Sequence, residues 1–318
     1  MCFDVSEKMQ RILNNKATAI ILPAVIGLGG AAISVSVFEH YGWSLFLGLP
    51  VLVSFLAAFS WCYKRNKTFG SSYGIACLSI LMLGGLILIF ALDGLICLLM
   101  ALPLALVLAL IGAFIGRLVA GAVSGTAGTS MAALFALSFP FFVGFESATA
   151  PEPHVRTVTT SVLIDAPIDE VWDVVIAFPK ITDPPQGVFR FGIAYPIEAR
   201  IEGEGLGAVR YCSFSTGDFV EPITSWVRPN HLAFDVTENP LPVAEPEGMH
   251  IPHLHGYLVS QRGEFKLSEV GDKVLLEGTT WYSHSIAPEF YWGVISDEII
   301  HRIHLRVLNH IKSHTENR

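Results

Sequence analysis

The stretch His250-Ile251-Pro252-His253-Leu254-His255-Gly256-Tyr257 holds three of the chain's eleven histidines within six residues. Neutral imidazoles in such numbers are the usual material of a transition-metal site. His253 and His255 could share an ion, with His250 or His284 as the third ligand. Against this, His250 lies beyond Pro252, no acid or thiol stands beside the cluster, and the spacing matches no zinc signature. The other readings are plain structure and the lip of a binding pocket, and the pocket lip is preferred. No metal and no cofactor is expected. His301 and His304 are helical neighbours, which either line an interior with Tyr291 or sit on a solvated face, where cations suit the end of a helix dipole. Arg210 and Glu221 are charges within strands and are expected as an exposed cross-strand pair. Acid–base catalysis needs a group held near a substrate atom, which His255, Tyr282 or His284 could supply. No trio of nucleophile, base and orienting group is readable.

What positions these residues depends on two unlike halves. The chain has 318 residues, 52% hydrophobic and only 15% charged, with a mean hydropathy of +0.53. Soluble domains carry about 25% charged residues, so part of the chain belongs in a non-aqueous solvent. Up to Phe145, seven basic residues stand against four acidic ones, a balance of +3, and the total of −8 leaves −11 for the rest. An acidic second half gains no attraction to a phosphate backbone, which argues against nucleic acid as a partner. Of the five cysteines only Cys212 lies in that half, so no disulfide can form within it.

The first half, residues 1–146, reads as four to five membrane helices at about 17–38, 44–63, 73–92, 95–116 and 129–145. Asp93-Gly94 marks a turn inside the long apolar run from Tyr73 to Gly116. Asp93 is expected as a turn residue at the membrane interface and not as an intramembrane proton relay. The Gly27–Gly30 and Gly112–Gly128 runs suit close helix packing. Lys8, Arg11, Lys16, the Lys64-Arg65-Asn66-Lys67 cluster and Arg117 all fall on one side if four spans precede Arg117. The positive-inside rule makes that side cytoplasmic. A fifth span would then place the second half outside, in the periplasm of a Gram-negative bacterium. With four spans it stays in the cytoplasm. Five is the expectation.

Residues 147–154, SATAPEPH, form a linker. Thr157–Ile164 alternates as a strand, and Asp165–Val175 starts a helix with Pro167 and acids at its N-terminus. Several strand-like runs follow, and Pro288–Ser313 ends the chain as a long helix with Trp292, Ile295 and Ile299 at helical spacing. The glycine-rich Gly203–Gly207 joins two strands and precedes no helix, so it is a hairpin and not a nucleotide loop. Along Leu254–Leu267 alternation turns the odd positions inward, among them His253, His255, Tyr257 and Gln261. In the next strand it turns in Val274, Leu276, Thr280, Tyr282 and His284.

The run Val162-Leu-Ile-Asp-Ala-Pro-Ile-Asp-Glu-Val-Trp-Asp-Val-Val175 resembles the opening of the START-like (SRPBCC) superfamily, which includes polyketide cyclases, plant allergen-type ligand binders and lipid-transfer domains. Gly203–Val227 and the following Arg228-Pro-Asn-His-Leu-Ala-Phe234 are similar to its middle strands. The resemblance covers about residues 155–315. Several spans followed by such a domain is similar to uncharacterised bacterial membrane proteins of this superfamily. It implies an α+β helix-grip domain at 155–318, whose curved antiparallel sheet and long final helix enclose a cavity for an apolar ligand. The wall would include Thr280, Tyr282, His284, Trp292, Ile295 and Ile299. The expected role is binding or transfer of a membrane lipid or other hydrophobic small molecule. The alternatives are a cyclase- or hydratase-like enzyme and a ligand-free sensory or docking module.

Overall fold

The structure is a computed structural model that describes residues 15–317, apart from His40, Asn66, 124–125, 150–151 and 245–255. The chain divides into two compact units, Met1–Pro151 and Glu152–Arg318.

In the first unit, apolar runs bounded by polar turns form α1 (Lys16–Ser36), α2 (Leu49–Cys62, entered through a π-helical turn at Ser44–Gly48), α3 (Phe69–Ile89), α4 (Leu95–Ala122) and α5 (Thr126–Ala148). Asn15 and Thr68 cap α1 and α3 with their side-chain oxygens. Four helices are long and apolar enough to cross a membrane, with Ser44–Cys62 as one of them; the apolar part of α5, Ala133–Ala148, is shorter. Glycines set the tightest contacts. A Cβ on Gly112 would lie 2.5 Å from the Val51 carbonyl, and one on Gly116 2.5 Å from that of Phe55, so α2 and α4 touch backbone to backbone. Asp93 sits in the turn between α3 and α4, where its carboxylate accepts the Gly94 N–H at 2.6 Å.

Three hydrogen bonds order the ends of this unit. Arg117 Nε donates to the Lys67 carbonyl at 3.1 Å, so the end of α4 joins the basic loop. At the other end of α5, the Glu146 carboxylate accepts the amides of Trp43 and Ser44. The C-terminus of α5 therefore lies with the α1–α2 loop, opposite the basic residues.

The second unit is an antiparallel sheet wrapped on a long helix. Its elements are β1 (Arg156–Ile164), α6 (Ile168–Ile176), a 3₁₀ turn (Gly187–Phe191), β2 (Pro196–Glu202), β3 (Val209–Phe214), β4 (Gly217–Val227), β5 (His231–Asp235), β6 (Leu258–Val270), β7 (Lys273–His284) and α7 (Glu289–Glu316). The seven strands lie in the order β1-β7-β6-β5-β4-β3-β2. This is the helix-grip architecture. Gly203, Gly205 and Gly207 all have positive φ in the β2–β3 hairpin, the backbone that connection requires. The core joins Val171, Trp172 and Val175 of α6 to Ile164, Leu232, Leu276, Val307, Leu308 and Ile311. The C-terminal half of α7 is therefore bolted to solid core. Its N-terminal half meets different neighbours.

Candidate functional site

Where the N-terminal half of α7 crosses β1 and β7, the interface is polar. Alternation along β7 turns Thr280, Tyr282 and His284 toward the helix, as their parity with Val274 and Leu276 requires. Tyr282 is fully buried and donates its hydroxyl to Asp297 Oδ1 at 2.7 Å. Asp297 also receives Arg156 from β1, and Arg156 reaches Glu289 at 3.1 Å. Gly293 makes room for this: a Cβ there would stand 2.7 Å from Arg156 Cζ. Partial burial pushes the Asp297 carboxyl up, but the bonds from Arg156 and Tyr282 outweigh it and hold it below its usual range. Burial and the Asp297 bond push the Tyr282 phenol upward.

One turn further along, α7 presents two histidines to two threonines. Thr160 Oγ1 lies 2.7 Å from His301 Nδ1 and 3.2 Å from His304 Nδ1. Thr280 Oγ1 lies 2.8 Å from His304 Nε2. Burial, with His301 alongside, pushes His304 down to about 4, so its ring is neutral at pH 7. Thr280 is thus a partner of the helix and not an open stretch of wall. His284 is buried, its pKa pushed down by desolvation and by Arg156. Its Nδ1 accepts the Ile286 N–H at 3.4 Å, while Nε2 meets no hydrogen-bond partner among the described residues.

The other expected site residues divide. Trp292 is buried, and Ile295 and Ile299 are half-buried on α7. Tyr257 is half-buried where β6 begins, and its carbonyl accepts the Ser285 N–H at 2.9 Å. Gln261 is exposed, against expectation, and bonds Ser283 Oγ at 3.2 Å. A register shift between Ser260 and Arg262 makes it the bulged residue, and one extra residue breaks the alternation that would have turned it inward. The opening histidines, His250, His253 and His255, lie outside the described residues.

A second correction concerns Arg210 and Glu221. They pair across β3 and β4 as expected but are buried, at 1% and 5% exposure. Arg210 donates Nε to the Ile176 carbonyl at the end of α6, and the rings of Phe178, Phe234 and Phe265 surround its guanidinium. Burial pushes the Glu221 carboxyl up while Arg210 pulls it back. The inward parity that Arg210 shares with buried Cys212 was the available signal. Arg156 and Thr160 were also missed, because their partners on α7 lie more than a hundred residues away along the chain, and Asp297 because it meets Tyr282 and Arg156 only once α7 crosses β7 and β1.

No family model matches the sequence, and no curated protein matches it. Solved structures match its second half. A protein of Nitrosospira multiformis shares 18% identity over 50% of this chain and 96% of its own, with a TM-score of 0.32. The Zhui aromatase/cyclase of Streptomyces sp. R1128 shares 15% over 52% and 96%, with a TM-score of 0.35. A norcoclaurine synthase point mutant of Thalictrum flavum shares 11% over 52% and 98%, with a TM-score of 0.34.

Proposed function

We propose that the chain is a membrane-anchored protein that binds, and passes on, a hydrophobic lipid-like ligand held between the sheet and the N-terminal half of α7. One observation carries this reading. The C-terminal half of α7 is sealed by Val307, Leu308 and Ile311, whereas Ile295 and Ile299, on the half that meets the polar strip, remain only half-buried. Apolar side chains left partly uncovered beside half-buried polar groups that mostly bond one another suit a mainly apolar guest. The four spanning-length helices support a bilayer as its source. The placement of the α5 C-terminus opposite the basic loop supports five crossings, with the second unit on the non-cytoplasmic side.

The test is mass spectrometry of organic extracts from the full chain purified in mild detergent. Wild type should release a stoichiometric hydrophobic molecule, and Ile299→Trp, whose bulk would occupy the proposed ligand position, should not. Glu269→Ala, an exposed change at the end of β6, should release it as wild type does. Equal release from Ile299→Trp and wild type would refute the reading.

One observation favours a second reading, a cyclase- or hydratase-like enzyme. A histidine, His284, whose Nε2 meets no hydrogen-bond partner among the described residues, stands beside Tyr282, itself hydrogen-bonded to a carboxylate. Loss of turnover in His284→Ala with ligand retained would establish it.

A further inference from the structure

The inward face of the sheet is fixed by Thr280, which bonds α7. The residues one step out of phase with it therefore face away from the helix. Register places Thr279 opposite Glu264, Glu264 opposite Ala233, and Ala233 opposite Ser225. His231 lies opposite Val227, two residues from Ser225 on the same face. On this outer face Ser225 Oγ lies 3.0 Å from His231 Nδ1, and His231 Nε2 lies 3.2 Å from Glu264 Oε2. Lys266 Nζ holds the other carboxylate oxygen at 2.7 Å. Three strands thus bring together the trio of nucleophile, base and orienting group that the sequence does not reveal.

The arrangement fixes its own protons. Partial burial pushes the Glu264 carboxyl up, but the bonds from Lys266 and His231 outweigh it and keep it below its usual range. An ionised carboxylate only accepts, so neutral His231 must carry its hydrogen on Nε2. Nδ1 is then the lone-pair nitrogen, and the Ser225 hydroxyl donates to it. That is the state in which an imidazole acts as base toward a serine. Ser225 and His231 are half-buried, open to a small molecule on the solvent side. Val227, 55% exposed, adds an apolar contact opposite His231. A register shift between Ile223 and Ser225 leaves Thr224 out of the ladder beside the nucleophile, and bulges of this kind re-aim neighbouring side chains.

We propose that Ser225 and His231, with Glu264 positioning the imidazole, form a catalytic centre on the outer face of the sheet that hydrolyses small carboxylic esters. Ser225 Oγ bonds to the ester carbonyl carbon as its proton passes to His231 Nδ1. The bond from that carbon to the leaving oxygen breaks, and His231 returns the proton to the departing alcohol. Water then attacks the acyl-serine, gives a proton to His231, and releases the acid as that proton returns to Ser225. Ester and water become acid and alcohol. The open face gives the oxyanion water and few fixed donors, so turnover is slow compared with enzymes that have a built oxyanion hole.

The test treats the full chain in mild detergent with a fluorophosphonate probe and with p-nitrophenyl acetate. Wild type should be labelled on the peptide containing Ser225 and should hydrolyse the ester. Ser225→Ala should lose both, and His231→Gln should lower kcat by about 10²–10⁴-fold. Glu264→Gln should lower kcat with KM unchanged, which a merely structural role would not do. Ser225→Cys keeps the fold question separate: iodoacetamide should alkylate its thiol at least tenfold faster than in Ser225→Cys/His231→Gln. Labelling no faster in wild type than in Ser225→Ala, or equal alkylation of the two cysteine variants, would overturn the proposal.

Discussion

Acid should loosen the grip of α7 through His304. An ordinary histidine titrates near 6.5, and in the folded protein this ring is held down to about 4. Its two nitrogens are occupied by Thr160 and Thr280, and His301 adds a like charge when protonated. Between these two pH values the unfolded chain takes up a proton that the folded chain refuses. The contribution to stability is therefore complete above pH 6.5 and is lost as pH falls toward 4. At about 1.4 kcal/mol per pH unit the loss comes to about 3 kcal/mol, a large part of the roughly 5–15 kcal/mol that holds a domain folded. Burial displaces His284 and His310 in the same direction, while Glu221 is displaced the opposite way for a carboxylate. A variant comparison is therefore needed to isolate His304. Urea unfolding of the full chain in mild detergent, followed by tryptophan fluorescence, should show this fall between pH 6.5 and 4. His304→Gln, which keeps a hydrogen-bonding side chain but cannot be protonated, should remove most of the slope. Parallel slopes for wild type and variant would show that the buried imidazole is not the acid-sensitive element.

The remaining expectations concern packing and topology. Glu221→Gln strands the Arg210 charge and should cost about 3–5 kcal/mol in urea unfolding, whereas Arg210→Met/Glu221→Leu should be close to neutral; equal costs would mean that the pair itself is stabilising. Gly293→Ala should push Arg156 off Asp297 and lower the melting temperature; an unchanged value would show that Arg156 can move aside freely. Gly116→Ala places a methyl group against the Phe55 carbonyl, which has no flexible end to yield. It should reduce the thermal stability of the detergent-solubilised bundle by about 1–3 kcal/mol. Alkaline phosphatase fused after Arg318 should be active, as five crossings from a cytoplasmic N-terminus require; a cytoplasmic reporter would limit the crossings to four.

What could be read from the sequence follows from the range of the forces involved. The helices of spanning length, the Gly203–Gly207 hairpin and the inward parity of Thr280, Tyr282 and His284 are local, set by composition or by a period of two along one strand. Gln261 escaped because a bulge is one residue of irregularity with no residue type of its own to announce it. Arg210 and Glu221 were recognised as cross-strand partners but placed in water, because strand charges are usually solvated. What reverses that expectation is the carbonyl at the end of α6 and three phenylalanine rings drawn from distant parts of the chain. The Ser225–His231–Glu264 trio marks the limit of such reading. Ser225 and His231 flank one hairpin, close enough for their contact to be foreseen from register. Glu264 joins them only once β6 lies beside β5, and residues 236–257 separate those strands along the chain. Chemistry that depends on a third strand is written in the topology of the sheet, and no spacing along the chain carries it.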